Sequence, residues 1–222
     1  MDMAVEMLGA GKRYGAHWVL SRLNVSIRRG DTVAIFGKNG SGKSTFLKMI
    51  ATLVAPSTGS VLILGHDVRK DKGPIRRRIR MLGHEKQLYD ALTARENLRL
   101  AGDLLGIPAP ERDAKIGHIL DRLQISRLAD RRIDELSEGT KKRVVLGRLI
   151  LSQERTDLLL LDEPHPTLDD EGRRILDDLI SEWKSQGKTI LLSSHDHAQA
   201  LRHAHRLLII ADGTVGYDGA PK

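Results

Sequence analysis

The chain has 222 residues, 40% of them hydrophobic, and 36 lysines and arginines against 29 aspartates and glutamates, a net charge of +7. That length can bury a proper core, the apolar content with mixed charges excludes a disordered chain, and no apolar run approaches the roughly 20 residues of a bilayer span. With no cysteine in the chain, disulfide scaffolds, thiolate zinc sites and cysteine nucleophiles are excluded.

The start, Met1-Asp2-Met3-Ala4-Val5-Glu6, lacks the basic and apolar regions of a secretory signal, so a cytoplasmic location is expected. Val19 to Ile27 reads as a strand, Arg28-Arg29-Gly30-Asp31 as a turn, and Thr32-Val33-Ala34-Ile35-Phe36 as a short buried strand. A glycine-rich loop, Gly37 to Gly42, leads into a helix predicted over Ser44 to Leu53 and stopped by Pro56-Ser57-Thr58-Gly59. Val61-Leu62-Ile63-Leu64 is another strand, and Arg76-Arg77-Arg78-Ile79-Arg80 reads as a solvated basic face. From Thr93 to about Gln153 the pattern is helical: Thr93-Ala94-Arg95-Glu96 is a capping box, and Ile107-Pro108-Ala109-Pro110 breaks one helix from the next. Strand character returns at Asp157 to Leu161, and the helix after Asp169 carries the stripe Ile175, Leu179, Trp183. Gly187 ends that helix, Thr189 to Ser193 is a strand, and Leu207 to Tyr217 reads as a hairpin about Asp212-Gly213. The expectation is a single domain over residues 1–222, an α/β core of 1–84 and 156–222 interrupted by a helical segment of about 85–155.

Gly37-Lys38-Asn39-Gly40-Ser41-Gly42-Lys43-Ser44, followed by Thr45, has the form G-x-x-x-x-G-K-[ST] between a predicted strand and a predicted helix. Glycines let backbone N–H groups turn toward phosphate oxygens, and the helix N-terminus adds partial positive charge. Lys43 would reach the β- and γ-phosphates of a nucleotide such as ATP, and the Ser44 hydroxyl would ligate Mg²⁺. Leu158 to Leu161 is a fully apolar strand that ends in Asp162-Glu163-Pro164, bringing two carboxylates to the same sheet edge. Asp162 is expected to hold Mg²⁺ and Glu163 to orient and polarise an attacking water. That second carboxylate points to hydrolysis rather than storage of the nucleotide. His195, His197, His203 and His205 cluster in sequence, but the spacing of His197 and His203 misses one helix face and no cysteine assists, which argues against zinc.

Leu136-Ser137-Glu138-Gly139-Thr140-Lys141-Lys142-Arg143 precedes a helix. Together with the motifs above, in this order, it makes nearly the whole chain resemble the ABC-type ATPases, whose signature is written LSGGQ. The resemblance implies a P-loop NTPase nucleotide-binding domain: a RecA-like mixed-sheet core with an antiparallel β part and an inserted helical subdomain. It further implies that Tyr14, in Lys12-Arg13-Tyr14-Gly15, stacks on adenine and that Ser137 and Gly139 donate to a γ-phosphate. Pro166-Thr167-Leu168-Asp169 looks like the D-loop, and His195 like the switch histidine that contacts the γ-phosphate.

Two departures from the family pattern carry expectations of their own. The signature reads Ser-Glu-Gly-Thr, so Glu138 should point away, since a carboxylate facing phosphate would repel it. The Q-loop position, which links metal to membrane partner, falls on His84, with Glu85 and Gln87 as neighbours able to take the role if the loop shifts.

In this family each ATP is sandwiched between the phosphate loop of one copy and the signature of another. The resemblance therefore implies a second ATPase subunit, identical or homologous. It also implies an integral membrane permease, a place on the cytoplasmic face of the membrane through that permease, and no nucleic-acid partner. Soluble ABC ATPases of translation or DNA repair carry paired units or long insertions, and a P-loop kinase or GTPase has no use for a signature. Within exporters, Leu82-Gly83-His84-Glu85, Leu88-Tyr89 and Leu92 to Leu98 look like the haem-exporter ATPase subunit of cytochrome c maturation. The other reading is an exporter ATPase for drugs, lipids or polysaccharide.

Overall fold

The computed structural model describes residues 2–83, 88–166, 168–194 and 200–221. In chain order the elements are β1 (Met3–Tyr14), β2 (His17–Arg28), β3 (Thr32–Phe36), α1 (Lys43–Ile50), β4 (Thr58–Ile63), β5 (His66–Asp67), α2 (Lys72–Arg78) and β6 (Ile79–Leu82). There follow α3 (Ala94–Leu104), α4 (Ala109–Arg122), α5 (Glu138–Ser152), β7 (Leu158–Asp162), α6 (Asp170–Ser185), β8 (Thr189–Ser193), β9 (Arg206–Ala211) and β10 (Thr214–Gly219).

Two sheets result. The four-stranded one, ordered β2-β1-β4-β5, is antiparallel throughout. The six-stranded one runs β10-β9-β3-β8-β7-β6; β9, β3, β8 and β7 are parallel and β10 is antiparallel to β9. Every residue of β3, β7 and β8 is buried. That is why these strands read as unbroken apolar runs: a parallel sheet is covered on both faces and leaves no side for alternation. β1 hid from the pattern because Gly9 and Gly11 interrupt it and its register with β2 shifts several times.

Helix α1 buries Phe46, Leu47, Met49 and Ile50 and touches β2 of one sheet and β7 and β8 of the other. Its predicted end at Leu53 is corrected to Ile50. Leu53 N donates to Lys48 O at 2.9 Å and Thr52 N to Met49 O at 3.1 Å, the two bonds of a Schellman stop, with Thr52 at φ +60°. Glycine usually takes that position; here Arg76 holds the threonine, with Nε to Thr52 Oγ1 at 2.8 Å and Nη2 to Thr52 O at 3.1 Å.

The basic run is likewise not a plain solvated face. Besides Arg76, Arg78 pairs with Asp157, and Arg80 donates to the carbonyls of Arg76 at 3.0 Å and Ile79 at 2.6 Å, satisfying the end of α2.

The chain divides into two compact units: Met1–Met81 with Thr156–Glu163 and Ile180–Lys222, and Leu82–Arg155 with Pro164–Leu179. Residues 164–179, which the sequence assigns to the core, cluster with the helical segment. Within the second unit α3, α4 and α5 pack on one another. The Thr93 capping box opens α3: Thr93 Oγ1 accepts from Glu96 N at 3.1 Å, and Glu96 Oε2 accepts from Thr93 N at 2.8 Å.

Candidate functional site

In the six-stranded sheet β8 lies between β3 and β7, so the loops leaving β3 and β7 are two strand spacings, about 10 Å, apart at one edge. The carboxyl ends of parallel strands are where open α/β sheets place ligands. Two of the sequence motifs, the glycine-rich loop after β3 and Asp162-Glu163 at the end of β7, lie there.

The loop after β3 turns through Gly37 at φ +154°, Gly40 at +79° and Gly42 at +107°. Close approach matters as much as φ. A Cβ on Gly37 would lie 2.2 Å from Ile210 O, and one on Gly42 would lie 2.5 Å from Leu20 Cδ2. Lys43, first residue of α1, is only 5% exposed, and its ammonium folds back over the loop to Gly37 O at 2.7 Å and Lys38 O at 3.2 Å. The Ser41 hydroxyl is buried with no protein hydrogen-bond partner among the described residues. Ser44 and Thr45 follow in the first turn of α1, half-buried. A concave loop with a buried ammonium, an unmatched hydroxyl and a helix N-terminus suits a polyphosphate.

β7 and β8 pair in register so that Asp162 faces Ser193 across the strands. Ser193 Oγ donates to Asp162 Oδ1 at 2.7 Å. The next residue, Glu163, is half-buried and left-handed at φ +49°; its N–H reaches Ser193 Oγ at 3.0 Å and Ser193 O at 3.2 Å. Ser193 therefore fixes the orientation of one carboxylate and the backbone of the other. It was legible only as a polar end to an apolar strand, because its partners lie 30 and 31 residues away. The site's available ligands for a metal, Asp162 carboxylate and Ser44 hydroxyl, are hard oxygens of the kind Mg²⁺ takes.

Tyr14 ends β1 and is 48% exposed, with Lys12 Nζ 5.0 Å from its ring centroid. The same hairpin lays Val19 O and Leu20 against Gly42, bringing this strand pair up to the phosphate loop. His195, together with His197, falls outside the described residues, as do His84, Glu85, Gln87 and Thr167.

In the second unit Ser137 is the N-cap of α5, its Oγ accepting from Thr140 N at 3.2 Å. Glu138 is 60% exposed and pairs with Lys141 at 3.2 Å, turned to solvent and a basic neighbour. A Cβ on Gly139 would make ordinary van der Waals contact with Asp169, whose carboxylate pairs with Arg143. The sequence offered no local signal for that pair, 26 residues apart.

Residues 20–166 match the family model described as "ABC transporter". A Nod factor export ATP-binding protein I of Paraburkholderia xenovorans is 31% identical over 220 residues, covering 99% of this chain and 72% of the relative. The ABC transporter ATP-binding protein NatA of Bacillus subtilis is 35% identical over 199 residues, covering 89% of this chain and 80% of the relative. Among solved structures, the ATP-binding subunit of an ABC transporter superposes with a TM-score of 0.89 at 30% identity, over 98% of this chain and 90% of that one. The ATP-binding cassette MJ0796, a dimer in a post-hydrolysis state bound to ADP and Pi, superposes with a TM-score of 0.87 at 28% identity, over 98% and 99%.

Proposed function

The chain belongs to the ABC transporter ATPase family, and from that premise we propose that it is the motor of a membrane exporter, dimerising around ATP and hydrolysing it to drive a permease. The observation that carries this is that the loop bonded by Lys43 and the Asp162–Ser193–Glu163 group leave the same edge of three adjacent parallel strands. Gly37 to Thr45 would cradle the phosphates, and Tyr14 would stack on the base. Mg²⁺, held by Ser44 and Asp162, would neutralise charge on the phosphates when bound. Glu163 orients and polarises the attacking water, and His195 meets the γ-phosphate. Ser137 and Gly139 serve the nucleotide of the other copy, so ATP binds the closed dimer better than the open one and release follows hydrolysis.

No helix among the described residues is long and apolar enough to cross a membrane; the membrane permease in this reading is a partner of the ATPase. A groove of about 350 Å³ in the second unit, walled by Leu88, Tyr89, Leu104 and Arg148, supports such a partner. Its neighbours in sequence, His84 and Glu85, belong to the same docking role. For the cargo, the Leu82 to Leu98 segment supports haem export in cytochrome c maturation. A second reading, export of a different substrate such as a drug, lipid or polysaccharide, is favoured by the likeness to a Nod factor export protein.

Titration with a fluorescent ATP analogue tests the core of this. Lys43→Ala removes the charge paired with the β- and γ-phosphates and should abolish binding. Unchanged affinity would remove Gly37 to Ser44 from the phosphate site.

A further inference from the structure

The first two turns of α5 present one face to the start of α6. Gly139 and Arg143, four residues apart, share it. A Cβ on Gly139 would lie 3.7 Å from both Cγ and the backbone nitrogen of Asp169. One turn along, Arg143 Nη2 donates to Asp169 Oδ2, and Arg143 Nη1 donates to Leu123 O at 3.3 Å. The other carboxylate oxygen, Asp169 Oδ1, takes the Gly172 amide at 2.9 Å and so caps α6. Arg143 is the buried partner, its side chain 12% exposed against 51% for Asp169.

Charge decides what this geometry means. Burial pushes the Asp169 carboxyl up, but the Gly172 amide and the Arg143 guanidinium outweigh it and hold the group below the usual carboxylate range. Asp169 is therefore ionised at neutral pH, beside the glycine that is read as meeting a γ-phosphate. An anion there would repel the phosphate, and the adjacent guanidinium cancels it.

We propose that Arg143 is a positioning residue of the ATPase: it neutralises Asp169 and ties the start of α6 to the signature end of α5. Gly139 then meets the γ-phosphate of the other copy's nucleotide with no net negative charge behind it. The inference rests on the reading of Ser137 and Gly139 given above. It goes beyond that reading in assigning a role to a residue that acts through Asp169.

The experiment is a double-mutant cycle on the full chain: wild type, Arg143→Ala, Asp169→Asn and the two together, with Arg143→Lys as the conservative variant. Phosphate release gives kcat and KM for ATP, a fluorescent ATP analogue gives affinity at the phosphate loop, and circular dichroism gives the melting temperature. Arg143→Ala should lose ~10-fold in kcat, the size of a coupling between contacting residues, at unchanged analogue affinity. The double variant should be several-fold more active than Arg143→Ala, because the stranded anion is gone while the amide oxygen introduced by Asp169→Asn still caps α6. Arg143→Lys should also exceed Arg143→Ala. If Arg143→Ala does not fold, Arg143→Gln, which keeps much of the stem, replaces it in the cycle. A double variant no more active than the arginine variant, at wild-type melting temperature, overturns the proposal. A wild type that binds ATP but never hydrolyses it overturns the underlying reading as well, and the two failures are told apart by that control.

Discussion

Glu163 adopts φ +49°, a left-handed conformation that costs an L-residue with a Cβ roughly 1–2 kcal/mol. Two acceptors on Ser193 hold it there. At the end of an apolar strand such a conformation re-aims the side chain, as it does at many functional sites. Two substitutions separate the roles. Glu163→Gln keeps the backbone and should keep ATP binding while slowing hydrolysis ~10²-fold, the scale of a lost general base. Its ATP-bound dimer should accumulate on size-exclusion chromatography, and a normal rate would move the role elsewhere, with His195 first in line. Glu163→Gly relaxes the strain and should gain about 0.5–1 kcal/mol in urea unfolding while losing the same hydrolysis. A glycine variant less stable than the parent would mean the carboxylate itself helps hold the fold.

Among elements, helices α3, α4 and α5 converge on a residue with no side chain. A Cβ on Gly147 would lie 3.0 Å from Leu98 Cδ2 and 3.1 Å from Ile119 Cγ2 and Leu123 Cδ1. Gly117, inside α4, would present a Cβ to open space. The two glycines should respond with opposite signs. Gly117→Ala should stabilise by about 0.5–1 kcal/mol through helix propensity and a less flexible unfolded chain. Gly147→Val should destabilise by about 1–3 kcal/mol through overpacking. Urea unfolding of both variants checks the pair, and equal signs would refute the close packing of α5 on its neighbours. The capping box of α3 was readable from Thr93 and Glu96 because both ends lie within one turn. The end of α1 was not, since a threonine at φ +60° needs Arg76, 24 residues on, to hold it.

For the whole molecule, the phosphate loop and the signature should act across a dimer. Gly139→Asp would add a second anion beside Asp169 at the start of α5 and should block the sandwich while leaving nucleotide binding at the same copy's Lys43 intact. Mixed with Lys43→Ala, it gives a dimer in which one composite site carries both lesions and the other none. Partial ATPase activity should return on mixing. Heterodimers that form without regaining hydrolysis would show that the two motifs do not work as independent composite sites.

Sequence alone determined whatever is local in the chain. The phosphate loop lies within nine residues, its glycines, lysine and flanking strand and helix carrying their physical reasons with them. The same holds for the apolar strand before Asp162, for the stripe of α6, and for Glu138 facing solvent, since a carboxylate beside a basic residue at i, i+3 has a local alternative to phosphate. Only the tertiary structure decided what depends on register and strand order. Ser193 reaches Asp162 and Glu163 because β7 and β8 pair in parallel at one offset; a shift by one residue would turn every side chain to the other face. Arg143 reaches Asp169 because α5 and α6 begin side by side in the second unit, although the chain between them passes through β7. Periodicity reports which face of an element is apolar, and it is silent on which element that face will meet.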